Sequence, residues 1–341
     1  MHVGGWNGVD VLGGHVNRPR PAVPLCVSVL IGLVAVGCAS AHTSNGSGYR
    51  ASPRTAVSAS TSTSTSVPRR IAPVGSTTTT GPVEQPGWLA VSAERTGVAI
   101  DERSFAFAYG TRVTVVRFRV GRTRFALHVG SQDPPTRGVT IPANAGPAVG
   151  RAELPRLLAA FNGGFKTSSG SGGFELDGRI LRTLTFGTAS FVIDADGSGH
   201  VGAWGQNLPR PGEQIASVRQ NLQPLVRDSQ LSQLISQVKA WGSTFKGESA
   251  VARSALGQDA QGNILYAASM SVLPIDLANA LIVSGATNAM ELDINPEWVQ
   301  LVLSPRSGGP LFPGVPGQHR PPNQYIVGWT RDFFTVLNAH N

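Results

Sequence analysis

The sequence predicts the α+β class: a single mixed, β-rich domain of twisted sheets with a few packed helices. Three observations carry this. The chain has 41 Gly and 24 Pro in 341 residues, a large supply of turn formers. Only 14% of it is charged, too little for the solvated faces of a long helical bundle. Its 41% of hydrophobic residues suffices for a sizeable core and falls in short Val/Ile/Phe runs between those turns.

Taken in order, the first element is an address. Arg18 and Arg20 precede the mostly apolar run Ala22–Gly37, long enough for the core of a signal peptide and too short for a comfortable membrane span. It ends Val34-Ala35-Val36-Gly37-Cys38, which resembles the lipobox of bacterial lipoproteins, with Ala35 where that pattern prefers Leu. The alternative is an ordinary secretory signal followed by a chance cysteine. On the lipobox reading residues 1–37 are a signal peptide of the lipoprotein type, Cys38 carries lipid, and Cys26 is discarded with the leader. The mature domain then has neither a disulfide nor a thiol nucleophile. Residues 38–86 are largely Ser, Thr, Gly and Pro and cannot offset their ordering entropy by burial, so they form a disordered tether. Its root-mean-square reach is roughly 40 Å.

Residues 87–341 are the folded domain. Alternation over Arg112–Val120 and again over Arg122–Val129 reads as two strands, paired as a hairpin around Gly121. Asp177-Gly178, between Phe174-Glu175-Leu176 and Arg179-Ile180-Leu181, is a second hairpin of type I′. Ala189–Asp194 and His200–Trp204 flank a third turn. Helical spacing marks Ser229–Trp241 and, more clearly, Pro274–Ser284, which Gly285 terminates. Ala289–Asp293, Trp298–Leu303 and Tyr325–Trp329 read as strands.

The net charge of +8 is spread thinly: half of it lies before residue 87, and Lys166, Lys239 and Lys246 are the only lysines. No basic helix is interleaved with aromatics, so nucleic acid is not an expected partner. Gly-x-Ser-x-Gly, Walker and His-Glu-x-x-His patterns are absent, and the domain's His128, His200, His319 and His340 are too scattered to suggest a metal site. No metal and no cofactor is therefore expected. Asp194–Ser198 has the look of a calcium loop, but Gly205 stands where its terminal Glu belongs, so a hairpin turn is the reading.

Three segments carry candidate chemistry. In Phe161-Asn162-Gly163-Gly164-Phe165-Lys166 the paired glycines let the backbone leave a strand in a conformation closed to other residues. That exposes main-chain N–H groups to a ligand or merely makes a turn. The small residues Thr167–Gly173 that follow are a candidate mobile flap. Glu291 and Asp293 lie two apart on an apparent strand and share a face, where two carboxyls either divide acid and base roles or end a solvated strand. Arg253, amid small and apolar residues, either pairs with a buried carboxylate or offers a fork for phosphate.

The order Asn-Gly-Gly-Phe, Asp-Gly hairpin, Arg253-Ser254-Ala255-Leu256-Gly257, amphipathic helix and Leu292-Asp293 resembles the phosphodiester glycosidase family over roughly residues 95–338. The resemblance implies a hydrolase that cleaves a sugar-1-phosphodiester on its glycosidic side, here in cell-envelope glycans or glycolipids. It implies Asp293 as acid/base or nucleophile, Glu291 assisting it, Arg253 and Lys166 holding phosphate, and Asn162, Gly163, Gly164 and Phe165 positioning the sugar. Lys166 and Ile294-Asn295 depart from the family's second Phe and paired glycines. That departure keeps open an alternative: a non-catalytic lipoprotein binding cell-wall glycans through the same cleft. Either way the expected partners are a carbohydrate or sugar phosphate and, through Cys38, the extracytoplasmic face of the cell membrane.

Overall fold

Apolar side chains occupy both faces of the Arg112–Phe118 strand, with Val113 and Val115 in one core cluster and Val116 and Phe118 in another. A strand buried on both sides must lie inside a layer with packed neighbours above and below. The structure, a computed structural model, describes residue 82, residues 87–242 and residues 247–340. All of these fall in one compact unit. Cys38, the proposed signal peptide, all but Pro82 of the tether, and Lys246 lie outside the described residues.

Three antiparallel sheets make up the architecture. The largest runs, edge to edge, through Leu89–Glu94, Gly97–Ala106, Arg112–Phe118, Ile264–Val272, Val251–Asp259, Ala286–Glu291, Val226–Arg227 and Gln230–Leu231. The second orders Arg179–Arg182, Phe174–Leu176, Ile215–Gln220, Ala189–Asp194 and Gly199–Ala203. The third orders Phe312–Pro313, Leu301–Leu303, Leu157–Asn162, Phe333–Asn338 and Thr123–His128. Helix is scarce, so the chain is mostly β with a minor helical component rather than a balanced α+β fold. None of the helices among the described residues is long and apolar enough to cross a membrane.

One aromatic cluster sits where the sheets converge. Phe161 of the third sheet stacks on Phe118 of the first at 5.7 Å and leans on Tyr266 at 5.1 Å and Phe334 at 5.2 Å. Phe191 of the second sheet meets Phe125 and Phe334 edge-on at 5.3 and 5.1 Å. These fully or nearly fully buried rings are the main apolar tie between layers. The opposite face of the large sheet is covered by helix Pro274–Val283, which buries Leu277, Ala278, Ala280 and Leu281. Pro274 starts it where no N–H partner is needed, and Gly285, at φ +98°, stops it.

The Asp-Gly hairpin forms as expected, with Asp177 at φ 46° and Gly178 at φ 71°. Three local expectations fail. Arg112–Phe118 and Thr123–His128 are not a hairpin: the first pairs with Gly97–Ala106 and Ile264–Val272, the second with Phe333–Asn338 in another sheet. The turn at Gly121 is a crossing between layers. Ser229–Trp241 is not one helix, because Asp228 and Ser229 both adopt positive φ and turn the chain back as a two-residue ribbon, and only Val238–Trp241 forms a short 3-10 turn. Burial of Trp241, whose indole N–H donates to the Leu234 carbonyl at 3.0 Å, then overrides the helical spacing. Tyr325–Trp329 is not a strand but a single helical turn, Gln324–Val327, ended by Gly328 at φ 125°. That turn stacks Tyr325 on Phe333 at 4.6 Å.

Removing the shared ring with Phe161→Ala is expected to cost about 3–5 kcal/mol, measured by urea unfolding. A loss below about 1 kcal/mol would show that this cluster does not hold the sheets together.

Candidate functional site

Strand Leu157–Asn162 ends on a short turn: Asn162, Gly163, Gly164, Phe165 and Lys166. The Asn162 side chain is buried and fully used. Its Oδ1 accepts from the Tyr266 hydroxyl at 2.8 Å and the Gln300 N–H at 3.2 Å, and its Nδ2 donates to Ser254 Oγ at 2.9 Å and the Gly163 carbonyl at 3.0 Å. Ser254 Oγ donates in turn to the Asp293 carbonyl at 2.9 Å, and the Asp293 N–H donates to the Gly163 carbonyl at 3.1 Å. Asn162 therefore fixes the backbone of Asp293 through one intervening hydroxyl.

The glycines serve closeness rather than a special backbone angle. Neither Gly163 nor Gly164 has positive φ, contrary to the sequence expectation. A Cβ on Gly163 would fall 1.9 Å from Asp332 Oδ2 and 2.9 Å from the Asp332 carbonyl. Asp332 forms a fully buried ion pair with Arg219, Nε to Oδ2 at 2.7 Å, and receives the N–H groups of Gly163 on its carbonyl and Gly164 on its carboxylate. Arg219 also donates to the Phe165 carbonyl. The following segment is pinned as well: Asp133 accepts the Thr167 N–H and hydroxyl, and the Ser171 carbonyl accepts the Leu222 N–H. The expected flap is thus tied at two points.

Asp293 follows the end of strand Ala286–Glu291 and borders a cavity of about 570 Å³ shared with Phe165, Lys166, Lys239, Asn295 and Trp298. Its Oδ1 accepts the Asn295 N–H at 2.9 Å, and Oδ2 lies 3.3 Å from Arg331 Nη2. Burial pushes the carboxyl up to about 6; the Arg331 guanidinium and the backbone N–H groups of Asn295 and Ile294 oppose that shift, and the Asp332 charge adds to it. Arg331 also donates to the Gly164 carbonyl at 2.9 Å and lies 4.4 Å from the centre of the Trp298 ring, with Lys166 Nζ at 5.3 Å from the same ring. Ile294, where the family pattern has glycine, packs toward Phe165 and Gly242. A Cβ on Gly242, at φ +96°, would reach Ile294 Cδ1 at 2.5 Å.

Glu291 and Arg253 form a second centre. Arg253 Nη1 contacts Glu291 Oε1 at 2.7 Å with both side chains fully buried, and donates to the Trp241 carbonyl at 2.8 Å. Of the two roles open to Arg253, pairing with a buried carboxylate is the one observed. Neither residue lines the Asp293 cavity. Both lie on the helix-covered face of the large sheet, whereas Ser254 and Asn162 lie on the aromatic face. Burial pushes the Glu291 carboxyl up to about 8, with Arg253 pulling the other way and Asp293 adding to the rise.

Sequence reasoning missed Arg331, Asp332, Arg219, Trp298 and the cavity position of Lys239. The available signal was the one that singled out Arg253: charges set among apolar residues, here Arg331-Asp332 between Trp329 and Phe333-Phe334.

The sequence matches no protein-family model, and no curated protein matches it. Among solved structures the chain is similar to the catalytic domain of zebrafish N-acetylglucosamine-1-phosphodiester alpha-N-acetylglucosaminidase, auto-inhibited by its pro-peptide. The identity is 16% and the TM-score 0.45, over 77% of this chain and 96% of that one. It is also similar to a hypothetical protein from Synechocystis, with 13% identity and a TM-score of 0.41 over 70% of this chain and 62% of that one. An exported protein from Burkholderia pseudomallei is a third likeness, with 12% identity and a TM-score of 0.32 over 71% and 75%. All three are distant.

Two measurements check this geometry. Gly163→Ala drives a methyl into the Arg219–Asp332 pair and is expected to destabilise the protein by at least about 2 kcal/mol in denaturant unfolding. Asp293 has its folded pKa raised above the ordinary 3.8, so its contribution is complete below about pH 4 and lost as pH rises through about 6. Relative to Asp293→Asn, the wild type is expected to lose up to about 3 kcal/mol across that window. A flat difference from pH 4 to 7 would mean the carboxyl titrates normally.

Proposed function

We propose that this protein is a hydrolase that cleaves a sugar-1-phosphodiester on its glycosidic side, with Asp293 as the reacting carboxylate. The observation that carries the reading is the composition of one cavity: a desolvated, doubly oriented carboxyl faces the same space as the ammonium-bearing Lys166 and Lys239. An anionic diester suits the two ammoniums, and the apolar surfaces of Phe165, Leu222 and Trp298 suit the C–H face of a sugar. The motif order noted in the sequence supports the same substrate class.

In this reading the C1–O bond breaks and the phosphate monoester leaves carrying the electron pair. Two ammoniums already stabilise that leaving group, so the carboxyl's task is at the other side of C1. There Asp293 takes the proton of the attacking water, whose oxygen bonds to C1. A carboxylate whose pKa is raised to about 6 is a stronger base than an ordinary Asp and remains ionised at neutral pH. Arg331 and the Asn295 N–H hold its two oxygens, while Asn162 sets its backbone through Ser254. The proposal moves the phosphate contact from Arg253 to Lys239, keeps Lys166, and gives Glu291 and Arg253 a supporting place beneath the strand. Anchoring through Cys38 at the extracytoplasmic face, which the lipobox-like sequence supports, would put the cavity near envelope glycans and glycolipids.

The test is release of free sugar from a panel of sugar-1-phosphodiesters. Asp293→Asn is expected to lower kcat at least about 100-fold while the protein stays folded, and Lys166→Met to raise KM roughly tenfold. Below about pH 6, kcat/KM should fall about tenfold per pH unit. Binding of the panel without release by the wild type would assign the cleft to glycan binding instead, the reading favoured by Ile294-Asn295.

A further inference from the structure

A separate cavity of about 850 Å³ opens beside the second sheet, bordered by Asp194, His200, Arg210, Glu213 and Gln258. Asp194 ends strand Ala189–Asp194, His200 lies on the adjacent strand Gly199–Ala203, and Glu213 lies in the turn that leads into Ile215–Gln220. The fold thus brings to one point three groups that the scatter of histidines in the sequence does not connect. His200 Nε2 lies 3.1 Å from Asp194 Oδ2 and 3.7 Å from Glu213 Oε1, and one donor atom of each residue falls within 4.8 Å of the others.

The second observation concerns Glu213. Its side chain is only 8% exposed, its Oε2 accepts the Arg210 N–H at 2.6 Å, and its Oε1, facing His200, has no hydrogen-bond partner. Asp194 Oδ1 is likewise without a partner. The half-exposed Arg210 guanidinium approaches Glu213 Oε1 only to 3.7 Å, beyond hydrogen-bond range. A buried carboxylate oxygen in this state is costly until a cation or a hydrogen-bond donor completes it. Tetrahedral coordination with bonds of about 2.0–2.2 Å places donors about 3.4 Å apart, between the two distances found here. One imidazole and two carboxylates also match a dication in charge and suit zinc better than the all-oxygen preference of calcium or magnesium.

We propose that Asp194, His200 and Glu213 bind a zinc-type divalent ion beside this cavity, with a fourth coordination position facing the open space. None of the three borders the Asp293 cavity, so the site stands or falls independently of the hydrolase reading. Its chemistry would tie the hairpin of the second sheet to the turn before Ile215 and present a Lewis-acidic position to a bound anion or water.

Metal-stripped full-chain protein titrated calorimetrically with Zn²⁺ is expected to bind one equivalent through this site. His200→Ala and Glu213→Gln should each weaken that binding at least tenfold, whereas His319→Ala, on the exposed His319–Glu297 pair, should not change it. Absence of saturable binding, or binding unaffected by both site substitutions, overturns the proposal. Should the variants fail to fold, Co²⁺ loaded into the wild-type protein decides. Intense visible bands of four-coordinate cobalt that Zn²⁺ displaces one for one support the site; weak six-coordinate bands, or none, refute it.

Discussion

The buried ion pair between Arg219 and Asp332 sets the position of the Gly163–Phe165 turn that borders the Asp293 cavity. Arg219 belongs to the second sheet and Asp332 immediately precedes the Phe333–Asn338 strand of the third, so the pair joins two layers by a directed contact rather than by apolar area alone. Taking both charges from water offsets most of their attraction, and the net stabilisation of such a pair is small. Its geometric effect is large. The Asp332 carboxylate and carbonyl receive consecutive backbone N–H groups, and Arg219 takes the Phe165 carbonyl, so the turn carrying Lys166 has little freedom left. Only a residue without a Cβ fits at Gly163 against that carboxylate, and a Cβ on Gly164 would crowd Arg219 and Asn221 at 3.0–3.1 Å.

What was legible in the sequence was local. Asp177-Gly178 announced its turn because two positive φ angles suit few other dipeptides, and Pro274 and Gly285 bracketed a helix by rules that act within one turn. What failed depended on distant partners. Alternation over residues 112–129 encodes two strands but not their membership in different sheets, which is settled by Ile264–Val272 and Phe333–Asn338. The spacing in Ser229–Trp241 was that of a helix, yet burying Trp241 decided the outcome. In the site, Asn162 and Asp293 stood out by residue type, while Arg331 and Asp332 are ordinary charges until the fold carries them to Gly164 and Asp293.

The large sheet also separates two polar centres that look contiguous in sequence. On strand Val251–Asp259, Arg253 turns toward the helix and Ser254 toward the aromatic cluster, so neighbouring residues serve opposite faces. Glu291 and Asp293 share a parity, but the strand ends between them. Glu291 remains under the sheet with Arg253, while the Asp293 side chain reaches the cavity. Two acidic residues two positions apart therefore occupy different electrical surroundings, one paired with Arg253 in a closed core and the other beside Arg331 and the Asn295 N–H at the edge of the cavity.

The order in which the chain is made bears on when such a cavity can exist. Phe333–Asn338 is an interior strand, flanked by Leu157–Asn162 on one side and Thr123–His128 on the other. A polypeptide interrupted before Arg331 would lack the middle of that sheet, the acid that receives Gly163 and Gly164, and the guanidinium beside Asp293. During synthesis Thr123–His128 and one edge of Leu157–Asn162 must wait for this partner until the last segment of the chain is made. The arrangement around Asp293 is thus absent from every chain that stops before Arg331, and such a chain leaves strand edges of the third sheet unpaired.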